Sequence, residues 1–266
     1  MLYIVGTGPG NPDYMAARAR QVLEKVDSVA GYSTYIELVK DIIKDKKIIS
    51  TTMTKEVQRV ELAIDEVLNN VSCAIISGGD SGIYAMAGLV FEICKKRNIE
   101  LIRHDPMTRN TEFTKDITKK QIILEIVPGI PALAAGAALA GAPLTHDFAT
   151  ISLSDLLTSW EKIETRLDLA AKADFVIVIY NPKSKKRNWQ LTKAKQLILK
   201  HRDKNTPVGI VTGAMRENQK IIITQLDNID KEDVGMQSIL FIGSSSSDRY
   251  MDFIFTPRGY GKKYDL

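Results

Sequence analysis

Residues 73–84 read CAIISGGDSGIY, and the fold class turns on them. Cys73–Ser77 is an apolar run of strand length that reads as a buried strand. Gly78-Gly79-Asp80 stops it, and Ile83–Lys96 resumes with helical spacing. A strand, a glycine turn and a helix in succession form half of an α/β unit, and the same alternation extends outward on both sides.

Toward the amino end, Leu2–Gly6, Asp27–Gly31 and Lys47–Ser50 read as strands, and Tyr14–Val26 and Thr34–Ile43 as helices. A further helix has Thr54 as its N-cap, with Val57, Val60, Ile64 and Leu68 on one face. Toward the carboxyl end, Ile99–Arg103 and Ile122–Val127 are strands flanking a polar loop from His104 to Lys120. Pro128-Gly129-Ile130-Pro131 is a turn into a small-residue helix, Ala132–Ala142, suited to close packing on a sheet. Pro143 to Asp147 marks a boundary, predicting domains 1–146 and 147–266. Beyond it, Phe148–Leu153, Phe175–Tyr180, Val208–Thr212, Ile221–Thr224 and Ile239–Gly243 read as strands, with helices Trp160–Lys172 and Trp189–His201. The close spacing of strands after Thr212 predicts a mixed sheet with an antiparallel part. The expected architecture is therefore two α/β lobes with a cleft, a favoured place for ligands.

Composition narrows the function. With 266 residues, 44% apolar and 26% charged, the chain has ordinary globular composition, which excludes disordered and collagen-like classes. Cys73 and Cys94 have no metal-like spacing, and with His104, His146 and His201 the only histidines, a protein-built zinc or iron–sulfur site is not expected. Two cysteines make no disulfide framework, so a reducing, cytoplasmic setting is expected. Residues 1–10 have no signal-peptide pattern, and no apolar run approaches the roughly 20 residues of a membrane helix. A net charge of +4 suits an acidic small molecule at least as well as nucleic acid.

Several segments carry candidate chemistry, each with a plainer alternative. Gly6-Thr7-Gly8-Pro9-Gly10-Asn11 lets backbone approach a ligand, yet fails as a dinucleotide fingerprint because Asn11 stands at the third glycine position. The turn at Gly78–Gly82 permits the same approach with Asp80 at a strand end, or simply caps the next helix. Pro131 fits the first turn of its helix. His146 and Asp147 adjoin the expected hinge and are candidates for acid–base work, or for a structural hydrogen bond. Ser152 and Asp155 follow. Asn181-Pro182 ends a strand and leads into Lys183, Lys185, Lys186 and Arg187, a basic patch or a solvated loop. Thr212–Arg216 and Thr256–Tyr260 complete the set.

In this order and register, these segments resemble the class III methyltransferase superfamily that modifies tetrapyrroles with S-adenosylmethionine. Gly31–Tyr35, Met53–Glu56, Gly141–Phe148 and Ser152–Trp160 are similar to the precorrin-3B and cobalt-precorrin-3 carbon-17 methyltransferases. The resemblance implies a bilobal fold, a homodimer, S-adenosyl-L-methionine as cofactor, and methylation of carbon 17 with ring contraction in cobalamin synthesis. It carries cofactor contacts onto Pro9, Gly78, Gly79, Asp80, Ile83, Pro131, Ala132, Asn181 and Ala214. Pro131-Ala132 stands where Thr-Ala is common, so one hydroxyl contact is missing. His146, Asp147, Ser152 and Asp155 are the candidates for proton movement and charge stabilisation. Lys55, Lys183, Lys185, Arg187, Arg216 and Arg258 are candidates to meet the substrate's carboxylates. Any cobalt arrives within the substrate, not on a protein metal site. The rivals are a sister methyltransferase acting on another ring carbon, a nucleotide-dependent oxidoreductase and an RNA-binding protein. The last lacks an aromatic-interleaved basic platform, so no nucleic-acid partner is expected.

Overall fold

In the first half of the chain, successive strand residues divide between two cores. Leu2 and Ile4 of β1 (Leu2–Gly6) point to one cluster and Val5 to another; Cys73 and Ile75 of β4 (Cys73–Ser77) join the first, Ala74 and Ile76 the second. A sheet buried on both faces needs helices on both, and the sequence supplies them. The computed structural model describes residues 1–52, 54–104, 120–184 and 187–265. Its contacts divide into two units, Met1–Pro131 and Ala132–Leu266.

In the first unit, β1 to β6 form a sheet in the order β3-β2-β4-β1-β6-β5, parallel throughout. The other strands are β2 (Ser28–Tyr32), β3 (Lys47–Thr51), β5 (Glu100–Arg103) and β6 (Gln121–Val127). α1 (Ala17–Lys25), α2 (Ser33–Leu38) and α3 (Lys40–Ile43) lie on the face with Val5; α4 (Glu56–Leu68) and α5 (Ala87–Lys96) cover the face with Ile4. This division follows from chain direction: β1 connects toward β2 on one side, β4 toward β5 on the other, and right-handed crossovers put those helices on opposite faces.

Three local expectations shift. Asn11 caps a 3-10 turn, Pro12–Tyr14, so α1 starts later than Tyr14. Tyr84 has φ +51°, which holds residues 81–86 in a turn and delays α5 to Ala87. Thr54 has φ +70° and makes no cap; Lys55 precedes α4, and Val57 faces solvent while Arg59 and Ala63 are buried.

The second unit opens with α6 (Ala132–Ala140) and β7 (Gly141–Ala142), placing the division earlier than the expected 146/147. The reason is packing: a Cβ on Gly136 would sit 2.9 Å from Ile239 and from the Phe241 ring, so α6 lies hard against the second unit's sheet. That sheet runs β11-β10-β12-β9-β8, with β8 (Phe148–Ser152) parallel to β9 (Val176–Tyr180) and the β10–β11, β10–β12 and β12–β9 pairs antiparallel. α7 (Trp160–Lys172) and α8 (Gln190–Ile198) cover one face; β10 is Pro207–Thr212, β11 Lys220–Gln225 and β12 Ser238–Ile242. On the α6 side, β13 (Asp248–Tyr250) and β14 (Phe253–Phe255) form a small sheet with β7.

Two glycines test this geometry. A Cβ on Gly129 would come within 2.2 Å of the Gly79 carbonyl oxygen, and no backbone there can yield cheaply. Gly129→Ala is expected to cost roughly 2–3 kcal/mol. Gly88, exposed in α5 with nothing within 4 Å of its added Cβ, should gain up to about 1 kcal/mol on replacement by Ala. Urea-denaturation midpoints of the two variants decide both.

Candidate functional site

Ligands of open α/β sheets bind outside the carboxyl ends of the strands, where neighbouring strands send their connections in opposite directions. In the first unit the chain leaves neighbouring β1 and β4 toward helices on opposite faces of the sheet. The loops after β1, β4 and β6 meet there backbone to backbone. Gly8 and Gly79 exchange two hydrogen bonds, N to O at 3.1 and 2.7 Å. Thr7 donates to the Ser77 carbonyl through both its amide and its hydroxyl. Asp80 joins two loops: Oδ1 accepts from its own turn at Gly82 N (2.8 Å) and Oδ2 from Gly129 N (3.1 Å). Gly78 has a different reason to be glycine, since its Cα lies under the Tyr35 ring, 2.5 Å from where a Cβ would stand.

Orphaned polar atoms collect at this end of the sheet. Among the described residues, eight buried side-chain nitrogen or oxygen atoms lack a hydrogen-bond partner, and five of them are Thr51 Oγ1, Arg59 Nε, Arg59 Nη1, Ser77 Oγ and Ser81 Oγ. All five belong to the carboxyl ends of β3 and β4 or the segments just after them.

The second unit has a polar rim of its own, where the carboxyl ends of β8, β9 and β10 point the same way. Asn181, at φ +51°, donates Nδ2 to Ser152 Oγ (2.9 Å), and Ser154 N donates to the same oxygen (3.2 Å). Both acceptor sites of the Ser152 hydroxyl are thereby used, leaving its proton to be donated elsewhere. Arg187 donates Nη1 to the carbonyls of Leu153 (2.9 Å) and Asn181 (3.1 Å). Asp155 accepts from Gln190 Nε2 at 2.9 Å and lies 3.9 Å from Arg187 Nε. Leu133 N, in the first turn of α6, donates to the Tyr180 hydroxyl at 2.9 Å, which puts the start of α6 on this rim. Ala214, after β10, is buried with Ala135 and Val178.

The sequence-predicted residues divide accordingly. Pro9, Gly78, Gly79, Asp80, Ile83 and Pro131 lie on the first unit's carboxyl rim, with Lys55 exposed after β3. Ser152, Asp155, Asn181, Lys183, Arg187 and Arg216 follow β8, β9 and β10 on the second unit's rim, where Ala132 and Ala214 also lie. Lys185 lies outside the described residues, as do Met53 and positions 105–119 of the polar stretch. His146, Asp147 and Arg258 do not join Ser152 and Asp155. His146 precedes β8 and Ser152 ends it, and the four steps from Phe148 to Ser152 alone span about 13 Å at ~3.3 Å each. Arg258 follows Thr256, whose hydroxyl bonds the Pro143 carbonyl at that same opposite end. His146 is half exposed there, its Nδ1 accepting from Asp147 N at 2.8 Å. Its neighbour is Asp174: burial pushes that carboxyl up, but two hydrogen bonds from Ser245, then Arg202 and His146, hold it below the usual carboxylate range. The expected four-residue catalytic group is thus two pairs at opposite ends of β8. Arg187 is likewise spent on the scaffold, not presented to a substrate.

A parallel, doubly wound sheet with a glycine-packed rim, and a second mixed sheet with a polar rim, define a ligand-binding α/β protein. Comparison with known proteins makes it specific. The family model of Tetrapyrrole (Corrin/Porphyrin) Methylases matches residues 1–103 and 105–230. The chain is 38% identical over 260 residues to a probable cobalt-factor III C(17)-methyltransferase of Salmonella typhimurium, covering 98% of this chain and 99% of that protein. It is 40% identical over 267 residues to the cobalt-factor III methyltransferase of Priestia megaterium, but spans only 46% of that relative's length. The crystal structure of the methyltransferase CobJ superposes with a TM-score of 0.82 at 27% identity, covering 96% of this chain and 99% of that one. The chain belongs to the tetrapyrrole methylases.

The two basic residues flanking the 181–187 loop should now behave differently. Arg187→Ala removes two hydrogen bonds to backbone carbonyls and is expected to cost roughly 1–3 kcal/mol, whereas Lys183→Ala should change stability by less than about 0.5 kcal/mol. Denaturant titration of each variant compares them.

Proposed function

We propose that this chain transfers a methyl group from S-adenosyl-L-methionine to carbon 17 of a cobalt-factor III or precorrin-3B tetrapyrrole, with ring contraction, in cobalamin synthesis. Family membership and the names carried by its relatives support the reaction class and the substrate class. The observation that carries the reading is the first unit's rim. Glycine loops there bring backbone close at the carboxyl ends of β1, β4 and β6, and among the described residues the buried Ser77 and Ser81 hydroxyls lack partners. Such a rim fits a ligand with ribose hydroxyls and an amino-acid end.

Pro9, Gly78, Gly79, Asp80, Ile83, Pro131, Ala132, Asn181 and Ala214 are the residues that would hold the cofactor. When bound, the cofactor supplies an electrophilic methyl on a sulfonium, so alignment and exclusion of water are what remain for the protein. Asp80, fixed by two amides, presents its remaining lone pairs in a set direction. Asn181 is held by Ser152 and by Arg187, which bonds its carbonyl. Ser152 keeps a donatable proton for an oxygen that gains charge as the ring contracts. Asp155 orients Gln190 and faces Arg187, a positioning role. His146 and Asp147 lie at the other end of β8 from Ser152 and are given no role in the proposed chemistry.

Lys55, Lys183 and Arg216 remain candidates to meet substrate carboxylates. The polycarboxylate tetrapyrrole, with or without cobalt, is the small-molecule partner, and a second copy of this chain is the protein partner. The setting is cytoplasmic, in keeping with two unpaired, buried cysteines. Among the described residues, no helix is long and apolar enough to cross a membrane.

Anaerobic incubation with cobalt-factor III and methyl-labelled S-adenosylmethionine, followed by NMR assignment of the product, tests the reaction. Label at carbon 17 is expected; label on another ring carbon would make the chain a sister methyltransferase. Ser152→Ala is expected to slow contraction by roughly 10- to 100-fold while leaving S-adenosylhomocysteine affinity within a few fold. Unchanged contraction would remove Ser152 from the mechanism.

A further inference from the structure

Among the described residues two arginines are buried, Arg59 and Arg202, and their surroundings differ from each other and from those of the half-buried Arg18 and Arg187. Arg202 gives Nη1 and Nη2 to the carbonyls of Ala171 and Phe175 and lies 3.0 Å from Asp174. Arg18 bonds Glu125 with two nitrogens, at 2.7 and 2.6 Å. Arg187 bonds two carbonyls. Arg59 is 3% exposed, yet neither Nε nor Nη1 has a partner. Among the described residues, no carboxylate lies within 4.0 Å of it. Glu56, one turn before it, accepts from Thr54 N at 3.1 Å.

Leaving a buried guanidinium without an acceptor is costly, and Arg202, although its Nε is also unpaired, has two carbonyls and a carboxylate where Arg59 has neither. Arg59 sits one turn into α4 at the carboxyl rim of the first sheet. Thr51 Oγ1, at the end of β3, is a second buried group there without a partner. Nη2 is not one of the buried atoms without a partner, so the unpaired atoms of the guanidinium are Nε and Nη1. Its charged and titratable neighbours are Glu56 and Tyr35; burial pulls its basicity down and they raise it. Tyr35 also lies against Gly78 of the glycine loop, which ties Arg59 to the rim already described.

We propose that Arg59 is the receptor for a carboxylate of the bound ligand, taken by the planar fork of its guanidinium at the rim of the first unit. A carboxylate matches that fork with two parallel charge-assisted hydrogen bonds. It comes either from a tetrapyrrole side chain or from the amino-acid end of the cofactor, so the inference rests on the proposed function for its ligands.

Arg59→Met and Arg59→Lys separate these cases. Tm of the ligand-free protein and dissociation constants for S-adenosylhomocysteine and cobalt-factor III are measured on each. Expected are a Tm for Arg59→Met equal to or above that of the unaltered chain, and at least a tenfold loss of affinity for one ligand. Arg59→Lys, with charge but no fork, should lose less. Loss confined to cobalt-factor III assigns a substrate carboxylate; loss confined to S-adenosylhomocysteine assigns the cofactor's. Affinities for both ligands within twofold of the unaltered chain, or a large fall in ligand-free Tm restored by Lys, would overturn the proposal. If the unaltered chain binds S-adenosylhomocysteine but not cobalt-factor III, the proposed substrate fails, and the cofactor arm still decides Arg59.

Discussion

The first unit depends on three loops whose main chains touch. Gly6, Gly79 and Gly129 follow or end the three central strands, and a methyl group on Gly6 or Gly129 would strike backbone at 2.7 Å or less. The Gly8–Gly79 bridge extends hydrogen bonding past the strand ends, and Asp80 fastens the third loop to the second. Such contact leaves little room for the loops to move independently. Backbone in a rigid, side-chain-free arrangement can approach a ligand closely without ordering entropy to overcome at binding. The glycines therefore serve ligand and scaffold together, and the two readings weighed from sequence were never exclusive.

The two rims solve the polar problem differently. In the second unit, Ser152, Asn181, Asp155, Arg187 and Gln190 bond mainly one another and nearby carbonyls, leaving a hydroxyl proton and Gln190 Oε1 over. In the first, several side chains are buried without partners. A satisfied network is preorganised and directs what remains; an unsatisfied one is poised to gain from whatever fills it. Both features suit a protein that aligns two reactants and leaves the intrinsic reactivity to them.

Much of the fold was legible because buried strands declare themselves. Leu2–Gly6, Cys73–Ser77 and helix Trp160–Lys172 fall at the residues read from apolar spacing. The misses have local causes. A tyrosine and a threonine with positive φ delayed or uncapped helices, and spacing rules do not anticipate that conformation in such residues. The β13–β14 hairpin went unread because its residues are mostly exposed and show no period-two pattern. His146 and Ser152 were grouped by nearness in sequence, although a strand carries its two ends apart. Arg59 was passed over among the valines of α4, yet its place one turn before Ala63 and two before Val67 on the buried stripe was a readable signal.

The strand order of the first sheet also bears on how the chain comes to be folded. Its central strand is the first to be made: Leu2 pairs with Cys73 on one side and Leu124 on the other. Neither hydrogen-bonded edge of β1 can be filled until those distant partners leave the ribosome, so the amino-terminal segment waits through most of its unit's synthesis. Loop closure over such separations is slow, and apolar Leu2–Gly6 is exposed to mispairing meanwhile. The second unit has no such delay in its β10–β11 pair, where Thr212 and Lys220 meet across a short connection. Nascent-chain assembly is thus local in the second unit's β10–β11 pair and deferred in the first unit's sheet.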